Sequence, residues 1–408
     1  MTIPARSLNP FRVLITHANF RRFWVGQTLS LIGTWMQSMG QGWLALQLSD
    51  SAFIVGLVAA CGSLPILLFS LYAGVLVDRS DKLRLVKIAQ TLLAIEATLL
   101  WYFTWSGHIN IGGLVAFALF GGAVASVEIP ARQSLMIDLV GRDDLRDAIA
   151  LNSSGFNLAR IFGPAVAAAI IANFGLAWCF GVNALSYLTV LIGLALINLP
   201  PRTPPVVSGS PMEGIRDGLR YVSSDRRVRG LVEVVTVFSI LGIPFLALMP
   251  VMARDLLGLG AGGYGVMLSA VGIGGLCGAL ALAASGPRSR GRLLVRSSFA
   301  FGGLLVALSL TRIPQLAYAI LLATGFVMIV NNALANTLMQ NIVPDEFRGR
   351  LMAIYSLVVV GLPQVIGAFG AGVIARALGV DWAIGGAAVV MIVYGAWAFR
   401  RFPEVKAL

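Results

Sequence analysis

The most constraining feature of this sequence is a succession of long apolar segments that runs along almost the whole chain. Each is about 20 residues or longer, which suits a membrane-spanning helix because each residue adds ~1.5 Å across a hydrocarbon core of ~30 Å. Only 12% of the 408 residues are charged, about half the fraction typical of soluble domains. Because stripes with a polar face are few, the pattern predicts an all-α integral membrane protein rather than a soluble helical core.

Twelve transmembrane helices can be placed in this pattern. They are predicted at residues 21–48, 53–77, 85–106, 110–138, 147–172, 176–199, 229–253, 262–285, 293–311, 315–341, 349–377 and 381–402. The stretch before the first helix is polar and basic, without a short apolar segment and a small-residue cleavage site. No cleavable signal peptide is therefore expected.

The placement of the basic residues predicts that both termini lie on the cytoplasmic side. The formal net charge of +12 would by itself also suit a nucleic-acid-binding protein. With the N terminus inside, however, 27 of the 30 Lys and Arg residues are assigned to the cytoplasmic face as the nearer one, and the other three are Arg254, Arg312 and Arg376. This bias follows the positive-inside rule, so the charge indicates topology and no nucleic-acid partner is expected.

Catalytic and metal-binding chemistry receives little support from the sequence. The cysteines Cys61, Cys179 and Cys277 lie far apart inside apolar segments and lack metal-ligand spacing. His17 and His108 lie at or near loops, beside no nucleophile. No Gly-x-x-x-x-Gly-Lys-Ser/Thr loop for nucleotide phosphates occurs. We therefore expect no enzyme activity, no metal and no cofactor, with a proton gradient as the source of energy.

The chain divides near its middle. A polar, proline-rich and basic stretch predicts a cytoplasmic linker at 200–228, between an N-terminal six-helix bundle at 1–199 and a C-terminal one at 229–408. Within the linker, residues 212–221 suit a short surface helix.

The two halves also share a sequence pattern. Residues 139–146 and 342–350 each contain an apolar pair, a helix breaker, two adjacent acids, an apolar residue and an arginine. A tandem repeat of this kind indicates a transporter whose two bundles rock about a central site.

The loop between the second and third helices carries a motif that runs from Gly74 through Asp78 and Arg79 to Lys82. It resembles the cytoplasmic signature of the major facilitator superfamily, although Asp81 stands where that signature usually has glycine. The resemblance implies twelve transmembrane helices in two six-helix bundles related by a pseudo-two-fold axis.

Four further segments, at 33–37, 43–46, 130–133 and 159–164, are similar to a bacterial exporter branch of the superfamily, the branch that includes the enterobactin exporter. Exporting members often carry Gly-x-x-x-Gly-Pro-x-x-Gly-Gly in the fifth helix. Here the central Gly-Pro pair matches, whereas alanines replace the other glycines. Because small residues still let helix backbones approach closely, the segment suits either export or ordinary packing.

The resemblance also implies a cytoplasmic gate. Asp78 is expected near the N terminus of the eleventh helix, around Asp345, where the helix dipole favours a carboxylate by roughly 0.3–1 kcal/mol. Arg79 or Lys82 is expected to pair with Asp138 at the inner end of the fourth helix. Together with the glycine of the motif, these contacts would close the cytoplasmic face; a solvated loop is the alternative.

Ionisable residues inside the membrane segments are the candidates for coupling. Each costs at least ~2.5–3.5 kcal/mol in hydrocarbon, so each needs a partner or a task. Arg132 follows Glu128 by four residues, and positions 128 and 160 are equidistant from a turn near 144, so we predict a Glu128–Arg132–Arg160 cluster. It either couples protons or substrate, or locks the fourth and fifth helices. Glu96 and Glu233 are further proton-site candidates, although Glu233 lies close to cytoplasmic water.

The substrate cavity is expected between the first, fourth, seventh and tenth helices. Polar residues recur on one face of the first and tenth helices, and they are expected to face inward because amides that face lipid would be costly. The candidates are Gln27, Thr34, Gln37, Gln41, Asn331, Asn332 and Asn336. They either bind the substrate or only cross-link helices.

These features predict a secondary transporter that works by alternating access in the bacterial inner membrane. We expect a monomer, embedded in the lipid bilayer, that exports a small amphipathic molecule, siderophore-like or drug-like, in exchange for protons. The alternatives are a lipid or lysophospholipid transporter and a non-transporting membrane scaffold or sensor.

Overall fold

The computed structural model describes residues 11–199, 211–284 and 290–407, and across these ranges the regular structure is helical. Twelve long helices follow one another in these ranges and are numbered here in chain order. They are α1 (Ala18–Ser49), α2 (Ala52–Asp78), α3 (Lys82–Trp105), α4 (Ile111–Val140), α5 (Leu145–Phe174), α6 (Ala177–Ala195), α7 (Arg226–Leu256), α8 (Ala261–Ala284), α9 (Arg290–Leu310), α10 (Pro314–Ile342), α11 (345–378) and α12 (Val380–Arg401). Short helices lie at Arg12–Thr16, Pro211–Ser224 and Glu404–Ala407.

The prediction of twelve helices is confirmed, and each observed helix overlaps its predicted segment. Ten of them are apolar and long enough to cross a membrane by composition alone. The other two, α1 and α3, are more polar because α1 carries the glutamine-rich stripe and α3 contains four charged residues. The helix expected at 212–221 is present as Pro211–Ser224; the first part of the linker, 200–210, lies outside the described residues.

Polar side chains fix the beginnings of several helices. Asp81 caps α3 by accepting a hydrogen bond from the amide of Arg84 at 3.0 Å, and Asn110 caps α4 in the same way from the Gly113 amide at 2.8 Å. Such caps satisfy amides that have no partner inside the helix. The aspartate that departs from the family signature therefore has a structural task, the start of α3.

Glycines allow close packing within each half. Gly26, Gly33 and Gly40 recur every seven residues along α1 and face α6, where a Cβ atom would meet α6 atoms within 3 Å. In the C-terminal half, Gly274 and Gly325 bring α8 and α10 together in the same manner. Small residues stabilise helix pairs in membranes because they let backbones approach.

The bundle has two ends, which we call the termini face and the opposite face. The termini face contains the start of α1 and the end of α12, where Asn19 bonds to the Asn198 carbonyl and Arg226 pairs with Glu404. The opposite face contains the α1–α2 connection at Asp50.

The N-terminal half (α1–α6) and the C-terminal half (α7–α12) make close contact toward the opposite face. Gly56 of α2 lies against Gly372 of α11, and Phe53 and Phe369 are in edge-to-face contact with centroids 5.5 Å apart. A side chain at Gly265 of α8 would likewise collide with α5. These contacts seal the boundary between the halves on that side.

Helices α7 and α11 are irregular. A turn at Ile243 and Pro244 interrupts α7, which ends in a π-helical turn at Met252–Leu256. Helix α11 contains π-helical turns at Leu357–Gly361 and Pro363–Gly367. The two irregular regions meet, because Gly367 packs against the Pro244 ring.

Candidate functional site

A buried ion pair lies inside the N-terminal half. The Arg132 Nε donates to Glu128 Oε1 at 2.8 Å, and both side chains, on α4, are at most 10% exposed. Gln90 on α3 donates to the same carboxylate at 3.0 Å and lies 3.4 Å from Gln27 Oε1 on α1. The predicted Glu128–Arg132 pair is therefore present and links three helices.

A second buried carboxylate has different partners. Glu96 on α3 is 2% exposed and accepts hydrogen bonds from Gln37 Nε2 at 3.1 and 2.9 Å, one to each oxygen. The Gln37 carbonyl oxygen accepts from Asn183 Nδ2 of α6 at 2.7 Å, and the Ser186 hydroxyl donates to Asn183 Oδ1 at 3.1 Å. Among the described residues no lysine or arginine lies within ion-pair distance of Glu96.

The two carboxylates therefore differ in what protonation would do. A proton on Glu128 would leave the Arg132 guanidinium buried without a counter-charge, which is strongly unfavourable. A proton on Glu96 would strand no cation, because its hydrogen-bond partner is the neutral side-chain amide of Gln37. Glu96 is thus the carboxyl group that can change charge with the smaller disturbance of its surroundings.

Arg160 does not join the Glu128–Arg132 pair, so the predicted three-residue cluster is wrong in this respect. Helix α5 packs mainly on α1 and on α8, and Arg160 lies toward α8 with its Nη2 next to Gly275. Its Nε is buried and has no hydrogen-bond partner among the described residues. Positions 128 and 160 are equidistant in sequence from the turn near 144, but that spacing leaves the rotation of α5 about its axis undefined.

Glu233 lies near the termini face. It accepts a hydrogen bond from Arg229 Nε, one helical turn earlier, at 2.8 Å, and both side chains are partly exposed. This arrangement matches the alternative in which Glu233 reaches water, and it favours a surface ion pair over a proton site.

The polar stripe of α1 mostly cross-links helices. Gln27 is 4% exposed and lies against α3, and Gln37 bridges α3 and α6. Thr34 is exposed with its hydroxyl donating to the Ser30 carbonyl, and Gln41 is half-buried.

The α10 stripe divides similarly. Asn331 donates to the Ser297 and Ser298 hydroxyls of α9 at 3.0 and 2.8 Å and thus holds two helices of one half together. Asn332 and Asn336 are half-buried. Asn336 accepts a hydrogen bond from the Gln340 side chain, one helical turn later. Of the seven proposed cavity residues, Gln41 and Asn332 are those whose side chains form no hydrogen bond with the described residues.

Only part of the expected gate is assembled. Lys82 Nζ lies 3.4 Å from Asp138 Oδ2, within the N-terminal half. Asp78 ends α2 half-buried and makes no hydrogen bond or ion pair with the described residues, and Arg79 is exposed. A Cβ atom at Gly74 would meet nothing within 4 Å. The helix start at Asp345 is present, but its side chain lies outside what the structure describes.

The sequence predictions missed several polar residues that the structure places in these networks. Gln90 and Asn183 are buried amides inside apolar segments, and that position alone could have identified them. The ion pair between Asp50 and Arg254, which joins the two halves at the opposite face, was also missed. The sequence feature that could have indicated this ion pair is Arg254, one of the three basic residues not assigned to the cytoplasmic face.

Comparison with known proteins gives a consistent picture. Residues 5–408 match a protein family described as transmembrane secretion effector. The chain is similar to the Staphyloferrin A transporter of Staphylococcus aureus, 28% identical over 265 residues that cover 64% of this chain and 66% of that protein. It is also similar to the Enterobactin exporter EntS of Shigella flexneri, 23% identical over 346 residues (84% and 82%), and to the Multidrug efflux pump Tap of Mycolicibacterium fortuitum, 27% identical over 322 residues (76% and 78%).

Solved structures share the fold. A bacterial homologue of the human lysosomal transporter Spinster, in an inward-facing and unoccupied conformation, superposes with a TM-score of 0.75 at 14% identity and covers 95% of this chain and 98% of its own. The peptide transporter POT superposes with a TM-score of 0.73 at 11% identity, covering 98% and 99%.

Proposed function

The chain belongs to the transmembrane secretion effector family of the major facilitator superfamily, and from that membership we propose that it exports a small amphipathic molecule in exchange for protons. Membership makes it a multi-pass membrane protein and a secondary transporter of a small molecule, not an enzyme. The class of substrate, the direction and the coupling ion are the proposal.

The direction and the type of substrate rest on the relatives. Two of the similar proteins are named an exporter and an efflux pump, and the three names refer to staphyloferrin A, enterobactin and multiple drugs. These names favour export of a siderophore-like or drug-like compound. The sequence contains no loop for nucleotide phosphates and no metal-ligand spacing. This suits a transporter that takes its energy from an ion gradient.

The orientation rests on the basic residues. In the topology predicted from the sequence, 27 of the 30 Lys and Arg residues are assigned to the side that holds both termini, and under the positive-inside rule that side is cytoplasmic. The contacts between the halves then close the periplasmic side, while on the cytoplasmic side the described residues offer Asp78 no hydrogen bond or ion pair. We interpret this conformation as open to the cytoplasm.

Proton coupling rests on one observation, the burial of Glu96 among neutral amides. In our proposal Glu96 releases its proton while the cavity is open to the cytoplasm and takes up another when it is open to the periplasm. The charge change alters the bonds of Gln37, which belongs to the α1 wall of the expected cavity. Substrate and proton thereby move in opposite directions.

Transport in proteoliposomes under an imposed pH gradient tests the proposal. A panel of siderophores, drugs and lysolipids is offered, and the gradient is expected to increase flux of at least one compound at least tenfold. Glu96→Gln should abolish that increase, whereas Glu404→Gln, a matched change at a surface ion pair, should retain it. Flux that is indifferent to the gradient would contradict proton exchange, and flux of lysolipids alone would favour the lipid transporter.

The expectations of a monomeric state and of no nucleic-acid partner remain predictions. They rest on the sequence, through the topological use of its basic residues.

A further inference from the structure

Arg160 is a charged side chain that the proton mechanism does not use. It lies at the middle of α5 (Leu145–Phe174), where that helix of the N-terminal half meets α8 of the C-terminal half. Its Nη2 is next to Gly275, at 2.8 Å from where a Cβ atom would stand, and Ile329 of α10 borders the same position at 2.9 Å. The guanidinium therefore crosses the boundary between the halves at mid-depth.

No counter-charge accompanies this arginine. The described residues provide no acidic group within ion-pair distance of Arg160, and its Nε is buried without a hydrogen-bond partner. The carboxylates deep in the N-terminal half are engaged elsewhere, Glu128 by Arg132 and Glu96 by Gln37. An arginine in the membrane interior needs an anion or a set of acceptors, and the residues that the structure describes supply neither.

We propose that Arg160 binds an anionic group, of the carboxylate type, on the transported molecule. The inference rests on the proposed function, since it names a chemical property of the exported compound. A guanidinium is suited to this task because its planar fork of N–H donors matches the two oxygens of a carboxylate. Its place between the two halves is where an alternating-access transporter holds its cargo.

The surroundings of Arg160 explain why the cargo would also be amphipathic. Because Gly275 has no side chain, the guanidinium can lie against α8, with Ile329 of α10 beside it and Ile161 packed on the neighbouring Gly272. An anion on Arg160 would therefore have its carbon skeleton against α8 and α10. Because Arg160 belongs to one half and Gly275 to the other, such a ligand would contact both halves at once.

The test uses two fluorescent compounds that differ in charge alone. Dansylglycine carries a carboxylate, and dansylglycinamide replaces it with a neutral amide. Both are titrated against the purified full-length protein in lipid nanodiscs, with dansyl emission as the readout. Wild-type protein is expected to bind dansylglycine at least tenfold more tightly than the amide.

Variants then assign the preference to Arg160. Arg160→Gln should weaken dansylglycine binding at least tenfold and leave the amide unchanged, and Arg160→Lys should be intermediate because it keeps the charge but loses the fork. Gly275→Ala should weaken dansylglycine binding without removing the charge, since its methyl group would displace the guanidinium. Gly262→Ala, on the same helix but with open space around its Cβ, is the matched control and should bind like wild type.

The outcomes separate this inference from the proposed function. Equal binding of the two compounds by wild-type protein, including no binding of either, overturns the role of Arg160, and so does an Arg160→Gln variant that loses both equally. Gradient-driven transport in proteoliposomes is measured independently, and its absence in wild-type protein would overturn the export proposal instead. Thermal unfolding of each variant confirms that it is folded.

Discussion

Arg254 in α7 forms an ion pair with Asp50, the residue that ends α1, across the boundary between the two halves. Asp50 has a left-handed backbone, with φ of 50°, and its side chain is 83% exposed. An exposed pair of this kind contributes about 0.2–1 kcal/mol. The contact therefore biases the closure of the opposite face without locking it.

Breaking this pair is expected to shift the conformational equilibrium modestly. Asp50→Asn or Arg254→Gln should increase the population open at the opposite face by roughly 1.4- to 5-fold, the change that corresponds to 0.2–1 kcal/mol. Spin labels at His108 and Ile313, in a background without the native cysteines, report the separation of the halves on that face.

A variant that keeps the charge provides the control. Arg254→Lys can still pair with Asp50 and with the neighbouring Asp255, and it should keep the label distances close to those of wild type. Distances that stay unchanged in both Asp50→Asn and Arg254→Gln would show that the pair has no influence on the equilibrium.

Removal of one member of the Glu128–Arg132 pair is expected to destabilise the N-terminal half. Glu128→Gln leaves a buried guanidinium without a counter-charge, and a change of this type costs about 3–5 kcal/mol. Glu128→Gln combined with Arg132→Met removes both charges and should recover most of the loss. Thermal unfolding in detergent measures the difference, and equal melting temperatures for wild type and the single variant would count against a structural role of the pair.

Two glycines of α2 should respond differently to alanine. At Gly56 a Cβ atom would collide with the backbone of α11, and overpacking costs about 1–3 kcal/mol, so Gly56→Ala should favour opening of the opposite face. At Gly74 the same change meets open space and should leave this conformation unaltered. The spin-label pair at His108 and Ile313 measures both, and an identical response of the two variants would refute the difference in packing.

Asp225 should make stability depend on pH. Burial acts to raise the pKa of Asp225, but hydrogen bonds from the Arg227 side chain and from the amides of Arg227 and Val228 outweigh it and set the pKa below its ordinary value. The carboxylate therefore stabilises the start of α7 above the unfolded pKa of about 4. This contribution is lost as the pH falls through the lower pKa of the folded state.

Asp225→Ala should lower the free energy of unfolding by about 0.5–2 kcal/mol at neutral pH, the usual contribution of a cap. The difference from wild type should shrink in acid, and Asp225→Asn, which keeps an acceptor without the charge, should show less pH dependence than wild type. Unfolding curves at several pH values check this, and a difference that is constant with pH would exclude the carboxylate as its source.

The sequence predicted those features that depend on one helix or on overall hydropathy. The twelve helices follow from the length of the apolar segments, and the Glu128–Arg132 contact follows from the four-residue repeat of a single helix. The Lys82–Asp138 contact was anticipated from the family motif.

Features that depend on how helices are rotated against each other were not predictable. Glu96 and Gln37 were both recognised as polar residues in membrane segments. Their contact was not predicted, because the two residues are 59 positions apart in sequence and lie on different helices. Arg160 was assigned to the wrong neighbour, because α5 is rotated so that Gly163 faces α1 and Pro164 faces α8. Such choices are made by packing in three dimensions.

The irregular turns of α7 and α11 have a mechanical consequence. Within the described residues all three π-helical turns lie in the C-terminal half, and Gly367 in one of them rests on the Pro244 ring of α7. Helices bend readily at prolines and at π-helical turns. Prolines lie inside helices of the N-terminal half as well, at Pro65, Pro130 and Pro164, so the π-helical turns are what distinguish the two halves. The N-terminal half, whose helices are cross-linked by the buried polar network, would move as a rigid body. The C-terminal half would change shape around the substrate by bending of α7 and α11.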